Sequence, residues 1–463
     1  MKNRAKRILS FVLAIAMLAT LMVGCDQKTG GNEMTTVRVW THSRSDADVM
    51  LPMIEEFNNT TGKEKGITIE YEMYGDDYMD VINTAIKSGQ APELHTYFTD
   101  ITPVVKSGDL LALEDLPGGQ EIVDKYKDML KPVYNTIDGK TYAVPLSTNT
   151  CKMIYNKDLF KKCGIVDENG EATPPKTWAE VIEYAKIITE QSAGEAWGTI
   201  FPMKWVNGFF EMEIMYPFYC SIGHEYFNVK TGRYDFSAFA PAFNEYMLKI
   251  KADGSYYPDS ATTDNDVARA LFAEGKIGMK MAISWDVGVL NDQFPAKCDW
   301  GVCDLPVMDE SATRYKEPIR PSTLYFVNKT ANNSDIDKVM EVLNFLQGDE
   351  MFAKKYEECL AIPVSEEAKK LATKAPGKAG WVEFADFTND TAFARCSEPT
   401  GSLTLEGPDY NEIMMQIWRG QVSVEDGLKD LDTRYNAALD KAVADGKVDL
   451  TTFQDSNYDI SVK

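Results

Sequence analysis

Residues 36–42 alternate apolar and polar side chains with the period of two that a half-buried strand requires, and residues 67–74 repeat that alternation. Between them Met50, Leu51, Ile54 and Phe57 recur at helical spacing within residues 46–58. The three pieces predict a β-α-β opening. A second unit follows: Tyr78, Val81, Ile82, Ala85 and Ile86 form a helical stripe, Gly89 and Pro92 end it, and residues 94–98 read as a buried strand. Strands alternating with helices place the chain in the α/β class.

Further along, residues 141–146 and 152–155 predict two extended pieces joined through Ser147, Thr148, Asn149 and Thr150, after which helices resume; a domain boundary or hinge is expected there. Thr177 and Glu180 are spaced as a capping box, in which hydroxyl and carboxylate each accept an amide hydrogen at a helix start, and Pro174 and Pro175 stop the helix beginning earlier. Residues 277–283 form an apolar strand. Near the end, Ser423 and Asp426 offer another cap for an amphipathic helix carrying Val424, Leu428, Leu431, Tyr435 and Leu439. There is no internal repeat.

The first 24 residues change the picture from a plain globular chain to an exported one. Lys2, Arg4, Lys6 and Arg7 precede an apolar run at 8–23 that contains no acidic residue, the make-up of a signal peptide. The run that ends LMVGC at 21–25 resembles the lipobox of bacterial lipoproteins, which implies that Cys25 is lipidated and becomes the mature N-terminus. Residues 25–34 are then a flexible tether. The chain is expected on the extracellular face of the bacterial cytoplasmic membrane.

Charge narrows the partners. The formal net charge is -23, and loss of the four positive charges in residues 1–24 makes it -27, with 44 basic against 71 acidic residues. Such acidity disfavours nucleic acid. Seven cysteines besides Cys25 are an odd number without CxxC spacing, so at least one thiol is unpaired. His42, His95 and His224 are too scattered for a metal site, and no metal or other cofactor is expected. There is no GxSxG elbow, HExxH helix or GxxxxGK[ST] phosphate loop, so the expectation is a binding protein and not an enzyme.

Several stretches resemble the extracellular solute-binding proteins of carbohydrate ABC importers, the family that includes maltose-binding protein: DGKTYAVP at 138–145, MIYNKDLF at 153–160 and PPKTW at 174–178, in that order and spacing, with weaker echoes in FAEGKIGM at 272–279 leading to Trp285 and in Trp300-Gly301-Val302. The resemblance implies the type II periplasmic-binding-protein fold, two α/β lobes around a ligand cleft and hinge. By the same resemblance the N-terminal lobe takes residues 35–146 plus 300–347 and the C-terminal lobe 147–299 plus 348–463. It implies a monomer that captures a sugar or oligosaccharide and hands it to membrane permease subunits driven by a separate ATPase.

A sugar pocket needs rings to stack on apolar C–H faces and fixed polar groups for the hydroxyls. Trp285 follows the 277–283 strand, where open α/β sheets bind ligands, so it reads as a stacking platform or as core; Asp286 reads as a hydroxyl acceptor or a helix cap. His42 and Arg44 follow the first strand, with Asp46 as a cap, and either line the cleft or sit in a solvated loop. Tyr97 and Asp100 end the 94–98 strand and align with sugar-facing residues of maltose-binding protein. Asn149 reaches the ligand from the hinge or caps a turn. Trp205, Asn207 and Phe209 lie in the aromatic loop KWVNGFF at 204–210, which forms a second-lobe wall or anchors in the core. Tyr410 lies near the family's C-terminal aromatic wall. Trp178, Trp300 and Trp418 are assigned to packing. A secreted carbohydrate-degrading enzyme, or a binding protein for polyamines, amino acids or peptides, remains open.

Overall fold

The computed structural model describes residues 34–462 apart from 45, 76, 98–100, 133, 206–209, 312, 323–324, 388–391 and 395–397. The predicted opening is present. Strand β1 (Thr35–Thr41) buries Val37, Val39 and Thr41 and pairs in parallel with β2 (Ile67–Met73), in a register that sets Val37 opposite Ile69. The intervening helix Ala47–Asn59 buries Met50, Ile54 and Phe57, whereas Leu51, expected on the same face, is 44% exposed. Helix Tyr78–Ser88 buries Tyr78, Ile82, Ala85 and Ile86. It stops at Gly89, whose left-handed backbone (φ 69°) lets the amides of Gly89 and Gln90 turn back to Ile86 and Ala85.

Strand β3 (Leu94–Thr96) joins β1 in parallel, and the first sheet closes with β4 (Leu110–Leu111) and the antiparallel return strand Tyr325–Asn328, in the order β2-β1-β3-return-β4. Its core is largely aliphatic. Beneath it pack Val339, Met340, Leu343 and Leu346 of the helix Ile336–Gln347, and Met351 and Phe352 of the helix Asp349–Glu357.

The second sheet is organised on one strand of ten residues, Ser147–Asn156. Its last six residues pair with the strands Ile277–Ile283 and Trp300–Cys303; its first four lie against Glu317–Ser322 and, at the start, Ile362–Pro363. Glu317–Ser322 precedes the return strand and Ile362–Pro363 follows the helix Asp349–Glu357 of the first core, so three extended segments run side by side between the two lobes. The opening tetrad is polar yet mostly buried, and its hydroxyls are bonded: Ser147 to Ser322 at 2.9 Å, Thr150 to the Phe384 carbonyl at 2.6 Å. The expectation put residues 300–347 in the N-terminal lobe; within that span Trp300–Cys303 and Glu317–Ser322 pair with the second sheet, because the hinge strand offers them its free edges. Likewise Asp349–Glu357, expected in the C-terminal lobe, puts its apolar face into the first core.

The second core is aromatic. Trp178 is buried and stacks on Phe218 with centroids 4.5 Å apart, held by the expected capping box: Thr177 Oγ accepts from the Glu180 amide at 3.2 Å and the Glu180 carboxylate from the Thr177 amide at 3.1 Å. Strand Trp197–Thr199 comes so close to this helix that a Cβ on Gly198 would lie 2.2 Å from Ala185 Cα. Trp300 and Trp418 are also buried, and the closing helix Val424–Ala444 buries the predicted Val424, Leu428, Leu431, Tyr435 and Leu439. Among the described residues there are three π-helical stretches, Glu211–Met215, Phe243–Met247 and Val289–Gln293, all in the second lobe. Among the described residues no helix is long and apolar enough to cross a membrane, and Cys151, Cys163, Cys220, Cys298, Cys303 and Cys359 are free thiols.

Candidate functional site

Ligands of open α/β sheets bind beyond the carboxyl ends of the parallel strands. In the first lobe those ends gather Thr41 and His42 after β1, Tyr74 after β2 and Thr96 at the end of β3. His42 is exposed and joins the network, its Nδ1 3.1 Å from Thr96 Oγ and its ring against Tyr78. Tyr78 donates its hydroxyl to the Thr96 carbonyl at 2.7 Å. Crowding by surrounding protein lowers the imidazole's proton affinity, opposed by the negative charge of Asp46. Arg44 is exposed on the same loop.

Asp46 departs from its expected role. It stands at the helix start but makes no capping bond; its carboxylate is buried and receives Lys355 Nζ at 2.6 Å, and Lys355 is itself almost wholly buried. The lysine lies 309 residues away, so no local spacing could have announced it. Beside the pair, the hydroxyls of Tyr71 and Tyr325 meet at 3.3 Å. Tyr97, expected to face ligand, is 7% exposed: its ring sits edge-on to Phe326 and its hydroxyl donates to Asn83 at 2.8 Å, because the strand's alternation turns it into the helix-covered face. Asp100 lies outside the described residues.

In the second lobe Trp285 is the prominent feature. It follows the strand Ile277–Ile283 and is 41% exposed, unlike Trp178, Trp300 and Trp418. Asn149 is half-buried on the hinge strand and accepts the hydroxyl of Ser284, the residue before Trp285, at 3.1 Å. Asp286 is neither an exposed acceptor nor a side-chain cap: it is buried and bound by Arg269, with Nε at 2.7 Å, and it accepts the Ile283 amide at 3.2 Å. Deeper, Glu213 in the first π-helical stretch is buried, its Oε1 has no hydrogen-bond partner, and burial pushes its carboxyl up to about 8. Lys280, equally buried, donates to the Met281 carbonyl at 2.7 Å; burial pulls its ammonium down, against the attraction of Asp286 and Glu213.

Trp205 is half-buried and packs on the second core, and Tyr410 packs among Phe210, at 5.1 Å, and Tyr226, at 5.5 Å. Both are half-buried. Asn207, Phe209 and Cys25 lie outside the described residues. The structure thus brings Trp285, Ser284 and Asn149 together at one strand end and His42 with Thr96 at another. The sequence reading missed Lys355, Arg269, Tyr71 and Tyr325, whose partners are far away along the chain.

Residues 43–351 match the bacterial extracellular solute-binding protein family. The sn-glycerol-3-phosphate-binding periplasmic protein of Brucella melitensis is 25% identical over 380 residues, covering 74% of this chain and 79% of its own. Its namesake from Rhizobium meliloti is 24% identical over 428 residues, covering 88% and 92%. The fold matches the cyclic alpha-maltosyl-1,6-maltose binding protein of Arthrobacter globiformis (TM-score 0.65, 19% identity, 88% of this chain and 100% of that one). It also matches the maltose/maltodextrin-binding domain of Bdellovibrio bacteriovorus bound to maltotriose (TM-score 0.63, 18% identity, 88% and 100%). With two α/β lobes, a hinge of side-by-side strands and a profile match across two-thirds of its length, the chain belongs to the bacterial extracellular solute-binding proteins.

Proposed function

We propose that the chain is the lipid-anchored receptor of an ABC importer for a sugar or oligosaccharide. Cys25 holds the lipid, the tether at 25–34 keeps the lobes off the membrane, and a separate permease and ATPase complete the importer. The observation that supports a sugar is Trp285: a large ring left exposed at the end of a strand is the platform a sugar's C–H face needs, while Asn149 and His42 supply hydrogen bonds for hydroxyls. Ligand bridges the lobes and selects the closed form. The first lobe comprises the first sheet with its helices up to about residue 371, the second the hinge strand and the remainder.

A second reading is favoured by the curated relatives, whose names specify sn-glycerol 3-phosphate. Thermal unfolding against neutral saccharides, sn-glycerol 3-phosphate, amino acids, peptides and polyamines separates the two. At a hundredfold excess over Kd a true ligand stabilises the protein by about 2.7 kcal/mol. A neutral saccharide recovered uncleaved, whose shift is lost in Trp285→Ala, establishes sugar capture. Cleavage makes the protein an enzyme, and a shift with the phosphate ester alone overturns the sugar reading.

A further inference from the structure

An indole left 41% exposed is held only in part by packing, so the backbone on either side contributes to its direction. At Trp285 both neighbours are tied. Ser284 donates its amide to the Thr150 carbonyl at 3.0 Å and its hydroxyl to Asn149 at 3.1 Å, which fastens the turn to the hinge strand. Asp286 fastens the other side. One carboxylate oxygen accepts the Ile283 amide at 3.2 Å; the other receives Nε of Arg269 at 2.7 Å and its Nη2 as well. The third guanidinium nitrogen is held by Asp266 at 2.8 Å, so Arg269 is oriented from the helix Asn265–Ala273 that carries it.

A buried ion pair is a poor source of stability, since apolar side chains of like volume often serve as well or better. What the arginine fork provides is direction: it is planar, always charged and bound at fixed angles. We propose that Arg269, acting through Asp286, is the positioning residue for Trp285, holding the indole in the orientation in which it meets ligand. The inference rests on the reading of Trp285 as the stacking platform. Arg269 itself touches no ligand in this scheme, because each of its guanidinium nitrogens already has a carboxylate partner.

The test uses the full chain labelled with 5-fluorotryptophan, with the Trp285 fluorine resonance identified by its loss in Trp285→Phe. Arg269→Gln is expected to split or broaden that resonance while those of Trp178 and Trp300 keep their positions. Because the single change leaves Asp286 buried without its cation, the paired variant Arg269→Gln with Asp286→Asn is made as well; it removes the stranded charge, folds, and still disturbs Trp285. Arg269→Lys, which keeps the charge and loses the fork, restores folding but not the sharp line. With maltotriose as the probe in calorimetry, Arg269→Gln weakens binding at least about tenfold, and has no further effect once Trp285 is Phe. A Trp285 resonance unchanged in both the single and the paired variant overturns the positioning role. A resonance that moves, in a protein whose wild type binds no saccharide, upholds the positioning role and rejects the sugar reading.

Discussion

The two lobes solve the same problem, presenting one end of a sheet to a cleft, with different materials. The first is a five-stranded sheet, parallel apart from its return strand and β4, over an aliphatic core, with a buried Asp46–Lys355 pair. The second hangs on one long strand, fills its core with Trp, Tyr and Phe, and holds the three π-helical stretches found among the described residues and the buried Glu213, which has no cation bonded to it as Asp46 has. π-helical turns are tolerated chiefly where a function asks for them. One of the three begins four residues after the exposed Trp285. The two lobes thus differ in regularity although each presents candidate side chains, His42 from the first and Trp285 from the second, at its strand ends.

The contrast breaks most readily at the ion pair. Lys355→Met strands Asp46 in the first core and is expected to cost about 3–5 kcal/mol in urea unfolding, whereas Lys355→Met with Asp46→Asn costs far less. A single-variant loss below about 1 kcal/mol would mean that the first lobe is as permissive as the second.

Glu213 sharpens the other side. Its carboxyl is raised from an ordinary 4.5 to about 8, so the folded state holds a proton that the unfolded state releases. Stability associated with that proton is complete below about pH 4.5 and is lost as pH rises through about 8. Glu213→Gln should therefore raise the melting temperature at pH 8.5 by at least about 2 °C and change it little at pH 4.5. An equal shift at both pH values would show that the carboxyl carries no such proton.

The smallest stability effect is expected at Trp285. Trp285→Ala should change unfolding free energy by no more than about 0.5 kcal/mol, the scale of exposed positions, while the ligand-induced shift disappears. A large loss of stability would instead place the indole among the second lobe's packing residues.

Much of the fold was legible because its signals are local. The alternation in β1, the stripe in Tyr78–Ser88, the Thr177–Glu180 box and the closing helix all depend on neighbours within four residues. Leu51 misled because a helix stripe is narrower than its apolar residues suggest. Tyr97 misled for a related reason: an aromatic residue at a strand end can turn into the core as easily as out of it. Trp285 could be singled out by its place after an apolar strand, but Arg269 and Lys355 could not, because each meets its carboxylate through the folded chain, 17 and 309 residues away.

The hinge strand has one more consequence. Residues 147–150 are one of the segments that run between the lobes, and Thr150 and Asn149 each hold Ser284, next to the exposed indole, by a hydrogen bond. If the lobes close on ligand as proposed, the surroundings of the indole change with their angle. The emission of Trp285, followed in a rapid-mixing instrument, should then keep time with the opening and shutting of the lobes.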